Sequence, residues 1–161
     1  MFYIFMIIML FIIEYYIKRH MERVRTLREQ RPVANGKIVL KKYYNSGAAC
    51  NFLKNRPKQV RNLHLLAMFA VFAALFYEIP KKHAFAAKAG LSFLAGGGLS
   101  NLHDRLTKGY VVDYFSFGFG PKRFQKIVFN IADICIFTGI ILFTIQSFQK
   151  EGDLSSWVHK R

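Results

Sequence analysis

The sequence predicts an all-α polytopic membrane protein with four transmembrane helices and a small extramembrane sheet element. Two observations support this fold class. The chain is 53% hydrophobic with 17 Phe, yet it carries a formal net charge of +15. Its apolar and basic residues also lie in separate runs that alternate along the sequence, which is typical of spanning helices joined by basic loops. A length of 161 residues fits a single domain, here membrane-embedded throughout.

Four apolar runs are long enough to be predicted as spans. The first has no basic segment before it and no small-residue cleavage site after it, so we interpret it as a retained helix and not as a signal peptide. The third is rich in Ala and Gly, which favours close packing against neighbouring helices. The predicted helices are residues 2–17, 63–79, 84–102 and 128–148.

The segments between the spans are mostly basic. Lys18–Arg31 is predicted to be a solvated or headgroup-bound helix, and Lys37–Tyr44 has the β-branched and aromatic content of a strand. Asn51–Arg61 is predicted to be a basic loop, so that the extramembrane element covers about residues 32–61. Gln149–Arg161 forms a polar tail.

The basic charge has a simple partner in the membrane itself. Attraction to anionic lipid headgroups explains basic runs that flank apolar ones, and no nucleic-acid-binding motif is present. Cys50 and Cys135 lack metal-ligand spacing and are predicted to be unpaired thiols. The histidines are scattered without an HExxH motif, and we interpret them as loop residues. The sequence therefore predicts neither a metal nor another cofactor.

Acidic residues in and beside apolar runs are the main functional candidates. An ionised carboxylate at the centre of a spanning helix costs roughly 2.5–3.5 kcal/mol on insertion scales. Asp104 and Asp113 follow the third apolar run, and Asp133 lies at the start of the fourth. A short β-like run, Val111–Tyr114, could hold Asp113 against Asp133.

Polar residues accompany these acids at helical spacing. Asn101, Asp104 and Arg105 are three and four positions apart and are predicted to share one helix face. Asn130 and Asp133 are again three apart. Acids near helix ends are also often interfacial or structurally paired, so spacing alone leaves that reading open.

Two carboxyl groups in a poorly hydrated site do not both ionise easily, so one keeps its proton. The ionised group then accepts a proton from a water molecule while the protonated group polarises the scissile carbonyl. Glu14 and Lys18 lie four apart on the first helix, where they form either a helix-end ion pair or part of this site.

The amino-acid sequence of these segments resembles that of the lipoprotein signal peptidase (signal peptidase II) family of bacterial membrane aspartyl peptidases. That family has a Gly-Gly pair followed by Asn, Asp-Arg, Gly-x-Val-Val-Asp-Phe and Phe-Asn-x-Ala-Asp, in this order. The matching positions are Gly96-Gly97, Asn101, Asp104-Arg105, Gly109–Tyr114 and Phe129–Asp133, with Asn45–Ala49 similar to an upstream Asn-x-Gly-x-Ala segment.

The resemblance implies a membrane aspartic endopeptidase with a small β-cradle. Such enzymes remove the signal peptide of diacylglyceryl-modified prolipoproteins just before the lipidated Cys. Asp113 and Asp133 would be the catalytic pair, without metal or cofactor. The remaining implied site residues bind substrate or support the pair: Asn45, Asn101, Arg105, Asn130, Glu14 and Lys18. The implied location is the bacterial inner membrane, as a monomer with cytoplasmic termini.

Some features depart from the family pattern. Glu14 stands where the family has Asp, Cys50 where Phe is usual, and Tyr114 where Phe is usual. The implied orientation also puts 13 of the 24 Lys and Arg residues, those of Lys18–Arg61, on the outer side. The positive-inside rule favours the opposite orientation.

Two alternatives from other functional classes remain. One is a paralogue that binds lipidated peptides without cutting them, and the other is an unrelated membrane interaction or transport protein whose acids relay ions.

Overall fold

A computed structural model of the protein describes residues 1–27, 29–48 and 52–158, with side chains up to Phe148. Ala49 and Cys50, which the sequence analysis singled out, lie outside the described residues. The described chain is mostly helical with one small sheet. Its elements in order are α1 Phe2–Val24, β1 Arg31–Val33, β2 Ile38–Asn45, α2 Pro57–Glu78, α3 Phe85–Thr107, β3 Val111–Phe117, α4 Lys122–Gln125 and α5 Ile131–Val158.

Helix α3 lies at the centre, and α1, α2 and α5 all pack against it. Its small residues permit this position because they let neighbouring backbones approach closely. A Cβ atom at Gly97 would lie 2.5 Å from the backbone oxygen of Ala132, at the start of α5. A Cβ atom at Gly90 would lie 2.7 Å from the backbone oxygen of Gly139. The two glycines therefore set the distance between α3 and α5.

The outer surface of the bundle is apolar. Among the described residues, two helices are long and apolar enough to cross a membrane, namely Pro57–Glu78 and the Ile131–Phe148 part of α5. Helix α1 carries Glu14 and Lys18, but both side chains point inward and are only 2% exposed. Up to Tyr16 its exposed side chains are apolar or aromatic, and large ones include Phe2, Ile4, Phe5, Ile8, Ile12 and Ile13, whereas Arg19 and Arg23 near its end are exposed as well.

The helices extend beyond the apolar runs that predicted them. The helix predicted at 2–17 is observed at Phe2–Val24, and the one predicted at 63–79 is observed at Pro57–Glu78. The helix predicted at 84–102 is observed at Phe85–Thr107, and the one predicted at 128–148 is observed at Ile131–Val158. Hydropathy identifies only the part of a helix that lies in an apolar environment. The helix itself is longer, because its backbone hydrogen bonding continues through charged residues. Pro57 was assigned to a loop but begins α2, because proline is well tolerated in the first helical turn.

The sheet is antiparallel in the order β1-β2-β3 and contains both segments predicted to be β-like. The turn between β1 and β2 has Ala34, Asn35 and Gly36 at positive φ. The helix predicted for Lys18–Arg31 is wrong in its second half, because α1 ends at Val24 and Arg31 begins β1. Tyr43 of β2 pairs with Asp113 of β3, so the sheet carries one candidate carboxylate.

Candidate active site

The first turn of α5 holds Asp133 through a reciprocal cap. The Asn130 side-chain oxygen accepts a hydrogen bond from the Asp133 backbone N–H at 2.9 Å. The Asp133 Oδ2 atom accepts one from the Asn130 backbone N–H at 3.1 Å. This arrangement satisfies two N–H groups that a helix start leaves free, and it fixes the Asp133 carboxylate at the positive end of the helix dipole.

Asp113 is held from two sides by amide side chains. Asn130 Nδ2 donates to Asp113 Oδ1 at 2.7 Å, and Asn45 Nδ2 donates to Asp113 Oδ2 at 3.1 Å. Strand β3 presents the carboxylate, β2 supplies Asn45, and the residue preceding α5 supplies Asn130. Asn130 thus contacts both aspartates, one through its side chain and the other through its backbone.

Burial changes the acid–base behaviour of this pair. Asp113 is 2% exposed, whereas Asp133 is partly exposed. Desolvation and, after it, the neighbouring Asp133 carboxylate raise the pKa of Asp113 to about 7, against which the Asn45 and Asn130 hydrogen bonds act. Asp113 therefore holds a proton at neutral pH more readily than a solvated aspartate does, which suits acid–base chemistry.

Asn101 links the aspartates to a buried lysine. Its Nδ2 donates to Asp133 Oδ1 at 2.9 Å, and its Oδ1 accepts from Lys18 Nζ at 2.7 Å. Lys18 Nζ also donates to Ser100 Oγ at 3.1 Å and lies 3.0 Å from Asp104 Oδ2. Because Lys18 donates to the Asn101 oxygen, the Asn101 amide must turn its nitrogen toward Asp133.

The sequence predicts that the three polar residues at the end of α3 share one helix face. In the structure they do not. Asn101 and Arg105 line the cavity beside the aspartates. Asp104 points instead toward α1, where it pairs with Lys18 and Lys108 and accepts the Val112 backbone N–H at 3.2 Å. The reason is helical geometry, since a step of three residues falls short of a full turn and a step of four exceeds it.

Arg105 holds the segment after β2. Its Nη2 atom donates to the Gly47 backbone oxygen at 2.8 Å, while the Asn45 side-chain oxygen accepts the Gly47 backbone N–H at 3.0 Å. The guanidinium charge also faces both aspartates, and its Nε is buried without a hydrogen bond. Arg105 therefore combines a structural contact with a positive charge beside the two aspartates.

A cavity of about 520 Å³ adjoins the two aspartates. Its polar end holds Asn45, Asn101 and Arg105, and the rest of its wall is largely apolar. The apolar wall includes Val60, Leu63, Ala67, Ile136, Phe137 and Ile140. Helices α2 and α5 each pack on α3 but make almost no contact with each other, so the cavity lies between them.

The interpretation of the histidines as loop residues is wrong for three of them, because His20, His64 and His103 lie on α1, α2 and α3. Of these, His64 lines the wall of this cavity. No metal-ligand spacing pointed to it, and within the described ranges no three His, Cys, Asp or Glu side chains are arranged to hold a metal ion.

Sequence reasoning also missed a link between α1 and the start of α5. The Tyr114 hydroxyl donates to Glu14 Oε2 at 2.7 Å and accepts the Ile131 backbone N–H at 3.0 Å. Tyr114 is 4% exposed and Glu14 is 2% exposed. The two departures from the family pattern, Glu14 and Tyr114, are therefore direct hydrogen-bond partners. Lys18 lies farther from Glu14, at 4.0 Å.

We expect Tyr114→Phe to lower the free energy of unfolding by about 1–3 kcal/mol, because it leaves Glu14 and the Ile131 N–H without their partner in a buried site. Thermal unfolding in detergent measures this. Tyr16→Phe removes a hydroxyl that is on a 65% exposed residue and is the matched control. Glu14→Asp shortens the same link, so the double variant should lose little more than Tyr114→Phe alone. Additive losses, or equal effects of Tyr114→Phe and Tyr16→Phe, would contradict the link.

The fold and the site define a helical protein with two aspartates joined through Asn130 at the end of a largely apolar cavity. A sequence model of the family described as Signal peptidase (SPase) II matches residues 2–149. The chain thus belongs to the signal peptidase II family, and it is an aspartic peptidase of that type.

Individual relatives agree with this assignment. The chain is 29% identical over 148 residues to a lipoprotein signal peptidase of Fusobacterium nucleatum, covering 91% of this chain and 86% of the relative. It is 34% identical over 114 residues to a lipoprotein signal peptidase of Clostridioides difficile, covering 71% and 72%. The fold is similar to a solved bacterial membrane enzyme with a TM-score of 0.79 at 23% identity, covering 94% of this chain and 90% of that one.

Proposed function

We propose that this chain removes the signal peptide from diacylglyceryl-modified prolipoproteins, cutting just before the lipidated Cys, with Asp113 and Asp133 as the catalytic pair. The observation that carries the proposal is their joint contact with Asn130, which donates to Asp113 at 2.7 Å and to Asp133 at 3.1 Å. The apolar cavity beside them supports a lipid-bearing substrate.

In the proposed reaction, the ionised carboxyl takes a proton from a water molecule whose oxygen attacks the scissile carbonyl carbon. The protonated carboxyl donates a hydrogen bond and then its proton to the carbonyl oxygen. The intermediate collapses when the carboxyl that took the water proton gives it to the amide nitrogen and the C–N bond breaks. The other carboxylate takes a proton from one hydroxyl of the intermediate as the C=O bond re-forms, which returns the pair to its starting charge. The pair titrates jointly throughout.

The amide residues would hold the pair in position for this exchange. Each of the four carboxylate oxygens accepts an N–H group, from Asn45, Asn101 or Asn130. Such contacts fix the carboxylates but supply no proton of their own. Arg105, with an unused Nε donor, is suited to bind a substrate backbone carbonyl. Lys18 and Glu14 would support the site from α1.

The cavity supports recognition of the diacylglyceryl group. Its long apolar wall is made by α2 and α5, and the gap between those helices opens on the apolar outer surface. Phe137 and Leu63, which line the cavity, are 54% and 57% exposed on that surface. An acyl chain could therefore enter sideways from a bilayer while the peptide bond reaches the polar end.

We further propose a multi-pass arrangement in the bacterial inner membrane, with α1, α2, α3 and α5 as four spans and cytoplasmic termini. Helix α1 turns Glu14 and Lys18 inward, and the exposed side chains before Lys18 are apolar or aromatic, which supports insertion of that part of the helix. Helix α3 is enclosed by the other helices, so its small residues need little hydropathy of their own. All proposed site residues come from one chain, which supports a monomer.

Purified protein in detergent, mixed with a prolipoprotein peptide that carries diacylglycerol on its Cys, tests the function. We expect release of the signal peptide with a new N-terminus at the modified Cys, measured by mass spectrometry. The matched control is the same peptide with an unmodified Cys, which should be cut far more slowly because it leaves the apolar cavity unfilled.

The other outcomes separate the alternatives. Binding of the lipidated peptide without cleavage would indicate the non-cleaving paralogue. Equal cleavage of both peptides would retain the peptidase but overturn the lipid-dependent substrate class. Neither binding nor cleavage would favour an unrelated interaction or transport role.

A further inference from the structure

A second cavity, of about 480 Å³, lies between α1 and α3. Neither aspartate of the proposed pair lines it, nor do Asn45, Asn130 or Arg105. It opens at the end of α1 where the apolar run gives way to basic residues. Its lining includes Phe11, Arg19, Arg23 and His103.

The charges inside this cavity are balanced except for two arginines. Lys18 and Lys108 both pair with Asp104 at 3.0 Å, and Lys108 also pairs with Glu22 at 2.6 Å. Two cations therefore face two carboxylates at its floor. This arrangement leaves no carboxylate of the floor available to neutralise a further cation.

Arg19 and Arg23 lie one helical turn apart on the rim, and both are exposed. Across residues 1–27, 29–48 and 52–148, neither has a carboxylate within 4.0 Å, and the Arg19 Nη1 donates at 2.8 Å only to the neutral Tyr15 hydroxyl. The rim thus carries two unneutralised guanidinium groups, whose fork of donors suits phosphate oxygens.

The wall on the membrane side of the arginines is aromatic. The ring centroid of His103 lies 5.7 Å from that of Phe11 and 5.5 Å from that of Tyr15, both in edge contact. Phe11 belongs to the apolar part of α1, about two turns before Arg19. From the rim inward, the cavity therefore passes from cationic to apolar, in the order of a phospholipid's headgroup and acyl chain.

We propose that this cleft binds one anionic phospholipid, with its phosphate on Arg19 and Arg23 and its first acyl carbons against Phe11. The binding depends on the proposed insertion of α1 in a membrane but not on the peptidase chemistry. It also gives part of the basic charge in Lys18–Arg61 a role on the outer side, where the positive-inside rule does not favour it.

Lipid binding is measured by native mass spectrometry of the full chain in detergent, titrated with phosphatidylglycerol or phosphatidylcholine. We expect one tightly held phosphatidylglycerol and weak phosphatidylcholine binding. Each basic residue near an anionic lipid contributes about a factor of five, so Arg19→Gln with Arg23→Gln should weaken phosphatidylglycerol binding about 25-fold. The matched control, Lys37→Gln with Lys122→Gln, removes two exposed charges elsewhere and should change it no more than about twofold.

Further measurements distinguish binding of a lipid from binding of soluble phosphate, and a loss of charge from a loss of folding. Phe11→Ala should weaken phosphatidylglycerol binding, and inorganic phosphate should not displace the lipid. Arg19→Lys with Arg23→Lys keeps the charge and should retain most of the affinity. Equal loss in the glutamine pair and its control, equal binding of phosphatidylcholine, or displacement by inorganic phosphate would each overturn the proposal. Peptide cleavage is scored separately, so a failed lipid site and a failed peptidase assignment give different results.

Discussion

Asp113→Asn and Asp133→Asn should each reduce cleavage of the diacylated peptide by roughly 10³-fold or more. Asparagine keeps the volume of the side chain but can neither take a proton from water nor hold one for the carbonyl oxygen. Because the two groups act as a unit, the double variant should be hardly slower than either single variant. Initial rates with the lipidated peptide measure the effect.

Asp104→Asn is the matched control for these two variants. Asp104 is also buried, at 3% exposure, and directly precedes Arg105 on α3, but it faces α1. We expect it to lower the unfolding temperature while keeping kcat within about tenfold of the unmutated protein, because the proton-transferring groups remain. Cleavage that persists in Asp113→Asn or Asp133→Asn, or a loss in Asp104→Asn as deep as theirs, would remove the assignment of the pair.

The sequence indicates which residues are candidates for the site more readily than it indicates which way their side chains point. The run from Gly96 to Asp133 contains both aspartates and two of the asparagines, and the β-like character of Val111–Tyr114 is realised as strand β3. The contact between Asn130 and Asp133 also had a local signal, since Asn followed three positions later by an acid at a helix start is a cap pattern. Sequence spacing therefore predicts those contacts of the site that form within one helical turn.

Contacts between distant segments had no such signal. Tyr114 and Glu14 lie 100 positions apart, and nothing in either neighbourhood predicts that the hydroxyl reaches the carboxylate. Likewise, the spacing of Glu14 and Lys18 predicts an ion pair, but the ammonium is closer to Asp104, at 3.0 Å, than to Glu14, at 4.0 Å. The packing of α1 on α3 decides this, and it depends on side chains from both helices.

Helix ends were predicted poorly for a related reason. An apolar run records the part of a helix that contacts lipid or core, whereas the hydrogen-bonded helix extends into charged sequence as long as no breaker intervenes. Helix α1 passes through Lys18 and continues to Val24 for this reason. The extension matters, since it places Arg19 and Arg23 on the same helix as the apolar residues.

Lys18→Met is the second variant for which we expect a large effect. The ammonium is 2% exposed and contacts Asp104, Asn101 and Ser100. Methionine keeps the length of the chain but removes the charge, which leaves a buried carboxylate without that partner and should cost about 3–5 kcal/mol of stability. It also removes the donor that fixes the Asn101 amide toward Asp133, so kcat should fall as well.

Lys88→Met separates these two consequences. Lys88 is another buried lysine, at 9% exposure, but it lies near the opposite end of α3 and donates to the Lys81 backbone oxygen. The Lys88→Met variant should therefore have a lower unfolding temperature but an unchanged kcat. A second variant, Lys18→Met with Asp104→Asn, also removes the buried carboxylate that Lys18 contacts and should recover part of the stability but little of the activity. Equal losses of kcat in Lys18→Met and Lys88→Met would mean that Lys18 acts through stability alone, because only Lys18 contacts the amide that holds Asp133.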